Sequence, residues 1–282
     1  MDKIVRIYGG LGNQIFQYLY GQYLADKSGS NVYFYYGVTK SKKAEKRDFE
    51  LLRIFPEIRV KSNWIIACMT KYKMIEFILR KTRLFQYFFR VVFEHSENGY
   101  SNNVVNRGRI FIGYWQNVDR LKGQLEFIRC SNWSVRITSL LGDEIYTNID
   151  KNSVALHVRR GDYLQLSTIY HRVTAEYYLT ALSLLSKDYV LSKVFVFSDD
   201  IEWCRENLDL ANYDVQYMDK GGVIEDFVAI SNCKHKIIAN STFSLLAALL
   251  SPQDGLIIAP EYWANGSHDI ILPKEIIRIA NY

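Results

Sequence analysis

Cysteine is scarce and unpatterned in this chain. Its four cysteines, Cys68, Cys130, Cys204 and Cys233, share no paired spacing, so neither a disulfide framework nor a zinc knuckle is expected, and a reducing compartment suits them. No uninterrupted apolar run reaches about 18 residues, which argues against a bilayer-spanning helix. The start, MDKIVRIYGG, reads as a strand and lacks the apolar core and small-residue cleavage site of a signal peptide, so a cytoplasmic location is expected. No helix-turn-helix, zinc or RNA-binding pattern accompanies the net charge of +5, so nucleic acid is not an expected partner. The loop GGLGNQ after the first strand has Gly10 and Gly12, but Ile15 stands where a dinucleotide fingerprint needs a third glycine or alanine, and no lysine makes it a Walker loop.

What is present points to a folded α/β protein. With 282 residues, 49% of them apolar, the chain can bury one large core or two ordinary ones. The positive charge is local. Between Trp64 and Phe93, Lys71, Lys73, Arg80, Lys81, Arg83 and Arg90 are set against the single acid Glu76, which accounts for the whole excess. That stretch reads either as peripheral helices lying on an anionic membrane surface or as a pair of domain helices with solvated basic faces.

In the first half, a strand is expected over Lys3 to Tyr8 and a helix over Ile15 to Ala25. Gly9, Gly10 and Gly12 would let a ligand approach the backbone closely, with the amides of Asn13 and Gln14 at the mouth of the helix, unless the glycines serve only a tight turn. A further strand over Arg109 to Gly113 leads into Tyr114-Trp115-Gln116, whose rings either stack on a sugar or fill the core.

The second half alternates. Strands are expected over Ser153 to Val158, Val194 to Phe197, Asp214 to Tyr217, Lys236 to Ala239 and Leu256 to Ala259. The intervening helices begin at Thr174, Asp200, Val223 and Ser241. This grammar implies right-handed crossovers and a doubly wound parallel sheet, which binds ligands outside the carboxyl ends of its strands. HVRRGD, Ser198-Asp199-Asp200 and Asn240-Ser241-Thr242 all fall at such ends. Arg159 and Arg160 could grip a departing pyrophosphate in bidentate forks without a metal, while Ser241 and Thr242 offer hydroxyls and helix amides to the same anion. The competing readings are a solvated arginine pair beside a Gly161-Asp162 turn, and an ordinary helix cap at Ser241. A carboxylate metal site over Ser198 to Glu202 is a further reading, but adjacent aspartates at a helix start are more simply explained by capping.

The fragments GGLGNQIFQY, GYWQ, HVRRGDY, FSDDIEW and CKHKIIANSTFS, in that order from Gly9 to Leu250, resemble the bacterial α-1,2-fucosyltransferases, glycosyltransferase family 11. The resemblance implies a GT-B-like fold, two Rossmann-like domains facing a cleft: an acceptor-side domain over 1–150 and a GDP-sugar-binding domain over 151–282. It also implies an inverting, metal-independent enzyme, with no cofactor, that moves L-fucose from GDP-fucose to the 2-hydroxyl of a terminal galactose. The acceptor would be a surface glycan, whether O-antigen repeat, capsule or host mimic, and whether or not lipid-linked. Carried over by residue, Arg159 and Arg160 would hold the β-phosphate. Asn240, Ser241, Thr242 and Ser244 would complete the diphosphate site, and His157, Asp199 or Asp226 would read ribose and guanine. In related protein-O-fucosyltransferases the corresponding glycine loop lies at the cleft, which makes Asn13 a candidate for orienting the acceptor or the developing charge, with Gly10, Gln14, Tyr114 and Trp115 on the acceptor side. Asp162 is the candidate general base, its rival role being a salt bridge that holds the arginines. One departure is Leu245-Leu246, where close members carry two tryptophans. Two readings from outside this activity stay open: transfer from another nucleotide sugar, and a non-catalytic nucleotide or glycan binder.

Overall fold

The computed structural model describes residues 1–37, 49–94, 99–131, 133–141, 148–161, 170–264, 270 and 272–281. The chain divides into two compact units, Met1–Gln124 and Leu125–Tyr282. This division falls earlier than the expected boundary at 150 because the helices Lys122–Cys130 and Trp133–Leu141 are tied to the second unit. Arg129 donates Nε to the Ser251 carbonyl at 2.9 Å, and the buried Trp133 donates Nε1 to the Leu250 carbonyl at 3.0 Å.

The first unit holds a parallel sheet of β1 (Lys3–Ile7), β2 (Val32–Tyr36), β3 (Val91–Phe93) and β4 (Ile110–Ile112), in the order β2-β1-β4-β3. The helix Leu11–Ser28 connects β1 to β2 and ends at Gly29, which donates its N–H to the Ala25 carbonyl and then turns the chain out of the helix with a left-handed φ of 60°. It starts four residues before the expected Ile15 and is buried along most of its length, Ile15, Phe16, Leu19 and Leu24 completely. Residues 64–93, read as a helix pair or peripheral segment, form three helices, Trp64–Lys71, Lys73–Lys81 and Arg83–Phe89, and then β3. No described helix is long and apolar enough to cross a membrane.

The second unit is the expected doubly wound sheet. Its strands are β5 (Ser153–Val158), β6 (Lys193–Ser198), β7 (Val215–Tyr217), β8 (His235–Ile237), β9 (Ile257–Pro260) and β10 (Ile277–Ile279). All pair in parallel in the order β10-β9-β8-β5-β6-β7, so the order reverses at β5, the strand that leads into the arginines. β5 is buried at every position, as a central parallel strand must be. Helices Ala175–Asp188, Ile201–Asn207, Val223–Asn232 and Thr242–Leu249 begin one residue after Thr174 and Asp200, at Val223, and one residue after Ser241. Leu245 and Leu246, which depart from the family pattern, are wholly buried, so that difference is one of core packing.

Candidate active site

The donor-side candidates are placed by strand register. Val158 at the end of β5 pairs with Ser198 at the end of β6, and Leu156 pairs with Ile237 at the end of β8. Parallel strands finish on one edge, so the segments that follow, Arg159-Arg160, Asp199-Asp200 and Asn240-Ser241, leave the sheet side by side. The ring of His157 on β5 lies 5.6 Å from that of Phe243, which links the arginine strand to the first turn of Thr242–Leu249.

The two arginines are held before any ligand arrives. Nη1 of Arg159 lies 2.9 Å from Oδ2 of Asp199, and Nε of Arg160 lies 3.3 Å from Oδ2 of Asp200. The Arg160 backbone N–H donates to Oδ1 of Asp199 at 2.9 Å, so one carboxylate bridges both residues. The Arg160 guanidinium also stacks 3.9 Å above the Trp203 ring, where cation–π attraction adds to the ion pair. Asp200 has a second task, capping its helix by accepting the Trp203 N–H at 3.2 Å. Gly161 leaves room beside them: a Cβ there would stand 2.6 Å from Oδ2 of Asp199 and would press on its pairing with Arg159. Asp162, the candidate base, lies outside the described residues; among the described ones, Asp199 and Asp200 form salt bridges with the arginines. Among the described residues no group of three or more His, Cys, Asp or Glu side chains is arranged to hold a metal ion. The two aspartates of the Ser198 to Glu202 segment are instead paired with guanidiniums.

Around this core the other candidates differ in what they can do. His157 is buried, and desolvation followed by repulsion from Arg159 pushes its pKa down to about 3, so the imidazole is neutral. Its Nδ1 has no hydrogen-bond partner among the described residues. Asn240 works as a clamp on the chain, donating Nδ2 to the carbonyls of His171 at 2.8 Å and Trp263 at 2.9 Å. Ser241 caps Thr242–Leu249 through the Phe243 N–H, and Thr242 is partly exposed beside it. Ser244 is fully buried and turns back to the Ser241 carbonyl, which takes it off the exposed edge. Asp226 sits in the first turn of Val223–Asn232, whose Phe227 packs 5.4 Å from Phe243. Burial, and then Glu225, push the Asp226 carboxyl up to about 7, and its Oδ1 finds no partner among the described residues. Gly221 passes so close that a Cβ would collide with that oxygen.

In the first unit the strand ends form a separate edge. Gly9 has a left-handed φ of 83°, and a Cβ there would lie 2.9 Å from Nδ2 of Asn13. Gly10 is the N-cap residue of Leu11–Ser28. The Asn13 Oδ1 accepts Nε2 of Gln116 at 2.8 Å, so loop and β4 exit are joined. Gln14 is completely buried and serves the turn, donating to the Gly9 carbonyl at 2.9 Å. Trp115 is core rather than a sugar platform: it is 0% exposed and stacks on Tyr20 at 3.9 Å and 3°. It holds a left-handed φ of 59°, a strained value for a bulky residue. Tyr114, 39% exposed and 4.8 Å from Tyr8, is the ring of this pair left at the surface. Sequence reading missed Gln17, which accepts the Tyr8 N–H and donates to the Gly113 carbonyl, and Glu94, which accepts the Tyr114 N–H at 2.6 Å. An amide three residues beyond Gln14 on a glycine-led helix was the available signal for Gln17.

Residues 58–276 match the family described as Glycosyl transferase family 11, and the chain belongs to that family. It is 29% identical to an Alpha-1,2-colitosyltransferase of Escherichia coli, over 92% of this chain and 91% of that protein. It is 33% identical to Galactoside alpha-(1,2)-fucosyltransferase 2 of Gorilla gorilla gorilla over a shorter segment, 38% of this chain and 33% of that one. Among solved structures, fucosyltransferase NodZ from Bradyrhizobium superposes with a TM-score of 0.47 at 15% identity, covering 89% of this chain and 94% of that one. The family match over residues 58–276 establishes the glycosyltransferase class.

Proposed function

We propose that the chain is an inverting galactoside α-1,2-fucosyltransferase, metal-independent, acting in the cytoplasm on a galactose-terminated glycan such as an O-antigen repeat. The observation that carries this reading is the pair of arginines just after β5, oriented by Asp199 and Asp200 just after the adjacent strand β6. Sugar transfer builds oxocarbenium character at C1 and negative charge on the leaving β-phosphate. Preorganised cations and helix amides stabilise that charge without reorganising during the reaction. Arg159 and Arg160 grip the β-phosphate, with Ser241, Thr242 and the amides of their helix on its other side. Asp162 takes the proton of the acceptor hydroxyl on the opposite face of the ring. The first unit supplies acceptor recognition through Asn13 and Tyr114.

Transfer from GDP-fucose to lactose, followed by release of GDP, tests the whole reading. Activity should survive exhaustive chelation, and linkage analysis should find fucose on the galactose 2-hydroxyl. Activity abolished by chelation and restored by a divalent cation would overturn the metal-independent mechanism. GDP-fucose binding with no acceptor-dependent release would make the protein a binder. The colitosyltransferase relative supports a second donor, because colitose differs from fucose by lacking a 3-hydroxyl. A site that hydrogen-bonds that hydroxyl discriminates strongly against the deoxy sugar, so competition between the two GDP-sugars decides the donor.

Asp226 is assigned to the guanine base, whose 2-amino and ring N–H groups suit a carboxylate. Its pKa near 7 makes this a pH-dependent role. The ratio of GDP to inosine diphosphate affinity is expected to rise through about pH 7 in the wild type, about tenfold, as a charged hydrogen bond replaces a neutral one. In Asp226→Asn the ratio should be flat and low. The same residue sets a stability trend. Its folded pKa lies above the unfolded 3.8, so the protonated form favours folding at low pH and that contribution is lost as pH rises through about 7. Thermal melts of Asp226→Asn should therefore gain on wild type between pH 5 and pH 8; parallel melting profiles would show the carboxyl is not desolvated.

A further inference from the structure

The helices Trp64–Lys71, Lys73–Lys81 and Arg83–Phe89 bury Ile66, Met69 and Leu79 in the core and yet carry a second set of apolar side chains outward. In Lys73–Lys81 the acid faces inward: Glu76 accepts Arg6 Nη1 at 3.0 Å, with Arg6 on the buried strand β1, and accepts Nε and Nη2 of Arg80 at 3.1 and 2.9 Å. Burial raises the Glu76 carboxyl, yet the two guanidiniums outweigh it and hold its pKa below the ordinary value. The apolar Met74, Phe77 and Ile78 take the outer side, and on the next helix Leu84, Tyr87 and Phe88 are 73–79% exposed. Eight of the eighteen exposed large hydrophobic side chains among the described residues fall between Trp64 and Phe88. Apolar residues scattered singly over a surface need no explanation, but a cluster of this density marks an interaction site.

Cations dominate the charge of this face. Lys71, Lys81, Arg83 and Arg90 are exposed among the rings, with Lys71 Nζ 5.2 Å from the centre of Tyr72 and Lys81 Nζ 5.9 Å from that of Phe77. Glu76, the acid of the stretch, is already neutralised. A hollow of about 500 Å³ adjoins the helices and is lined by Arg90, Arg109 and Lys61, the last paired with Asp2 at 2.8 Å, together with Trp64, Phe88 and Phe89. It also touches Ile4, the second residue of β1, and Ile110, the first of β4, so it opens at the edge of the sheet opposite the Gly9 loop.

We propose that this face docks on an anionic lipid bilayer, with the exposed rings and aliphatic side chains entering the interfacial layer and the cations meeting lipid phosphates. The geometry favours lipid over a second copy of the chain, because a two-fold interface through this patch would set cations against cations. This inference is independent of which sugar the protein transfers.

The test is co-sedimentation of the full chain with phosphatidylcholine vesicles, with and without phosphatidylglycerol. Binding is expected only to the anionic vesicles. The paired change Lys81→Gln and Arg83→Gln should weaken it about thirtyfold, from roughly fivefold per cation near an anionic surface. Phe77→Ser with Tyr87→Ser should weaken it as well, while circular dichroism and transfer to a soluble acceptor stay unchanged. Should the pair disturb folding, Tyr87→Ser alone, at a residue 77% exposed, keeps the test valid. Wild-type protein that stays in the supernatant, or partitioning equal across all variants, overturns the proposal. So does a stable dimer in sedimentation velocity that Phe77→Ser dissolves, since a second copy would then be the occupant.

Discussion

Arg159→Ala is expected to lower kcat/KM for glycosyl transfer about a thousandfold while the protein stays folded. Removing one neutral donor aimed at a developing oxyanion costs a factor of about 100 to 1000, and a guanidinium that carries charge as well as a fork lies at the upper end. The fold should tolerate the loss. Asp199 keeps the Arg160 backbone N–H at 2.9 Å, and its side chain is 25% exposed, so water can replace the missing partner. Arg159→Lys preserves charge but not two-pronged geometry and should recover only part of the activity. Steady-state GDP release with melting curves on the three proteins measures this. Wild-type turnover in the alanine variant would remove Arg159 from the reaction.

Asp199→Ala should cost about a hundredfold, and the form of the loss distinguishes its two roles. As a positioning residue, the carboxylate orients the Arg159 guanidinium and anchors the Arg160 backbone, so its removal loosens donors that act in the transition state. A fall in kcat with little change in donor KM is the expected signature. If Asp199 instead reads ribose, KM rises and kcat holds. Asp199→Asn should fall between, because an amide oxygen can still accept the Arg160 N–H but cannot pair with Arg159.

Much of the second unit was legible because each of its signals is local. The β-rich runs, the Asp200 and Ser241 caps and the Gly-led helix start at Val223 are set by short-range propensity, and the strands and helices stand within a few residues of their expected places. The arginine-aspartate pairs are not local, but they were within reach. β5 and β6 are consecutive strands, consecutive strands usually pair, and equal offsets from their ends would have set Arg159 against Asp199 and Arg160 against Asp200. Elsewhere the information is tertiary. β3 and β10 have three residues each and exist because a neighbour's backbone awaits them. β2, VYFYY, carries rings on both faces and so shows no alternation between apolar and polar. The burial of Trp115 depends on Tyr20, far away in sequence, and Ser244 was separated from Ser241 and Thr242 only by the direction in which its helix turns.

The six paired positions that lock Ser153–Val158 to Lys193–Ser198 have a practical meaning for anyone redesigning this catalyst. Both guanidiniums and both of their carboxylates hang from one stiff plank, so a substitution there would misalign all four together and, under the proposed role of the arginines, is expected to abolish transfer rather than redirect it. Libraries meant to change the transferred sugar should leave that plank untouched and vary residues whose backbone is not bonded into it.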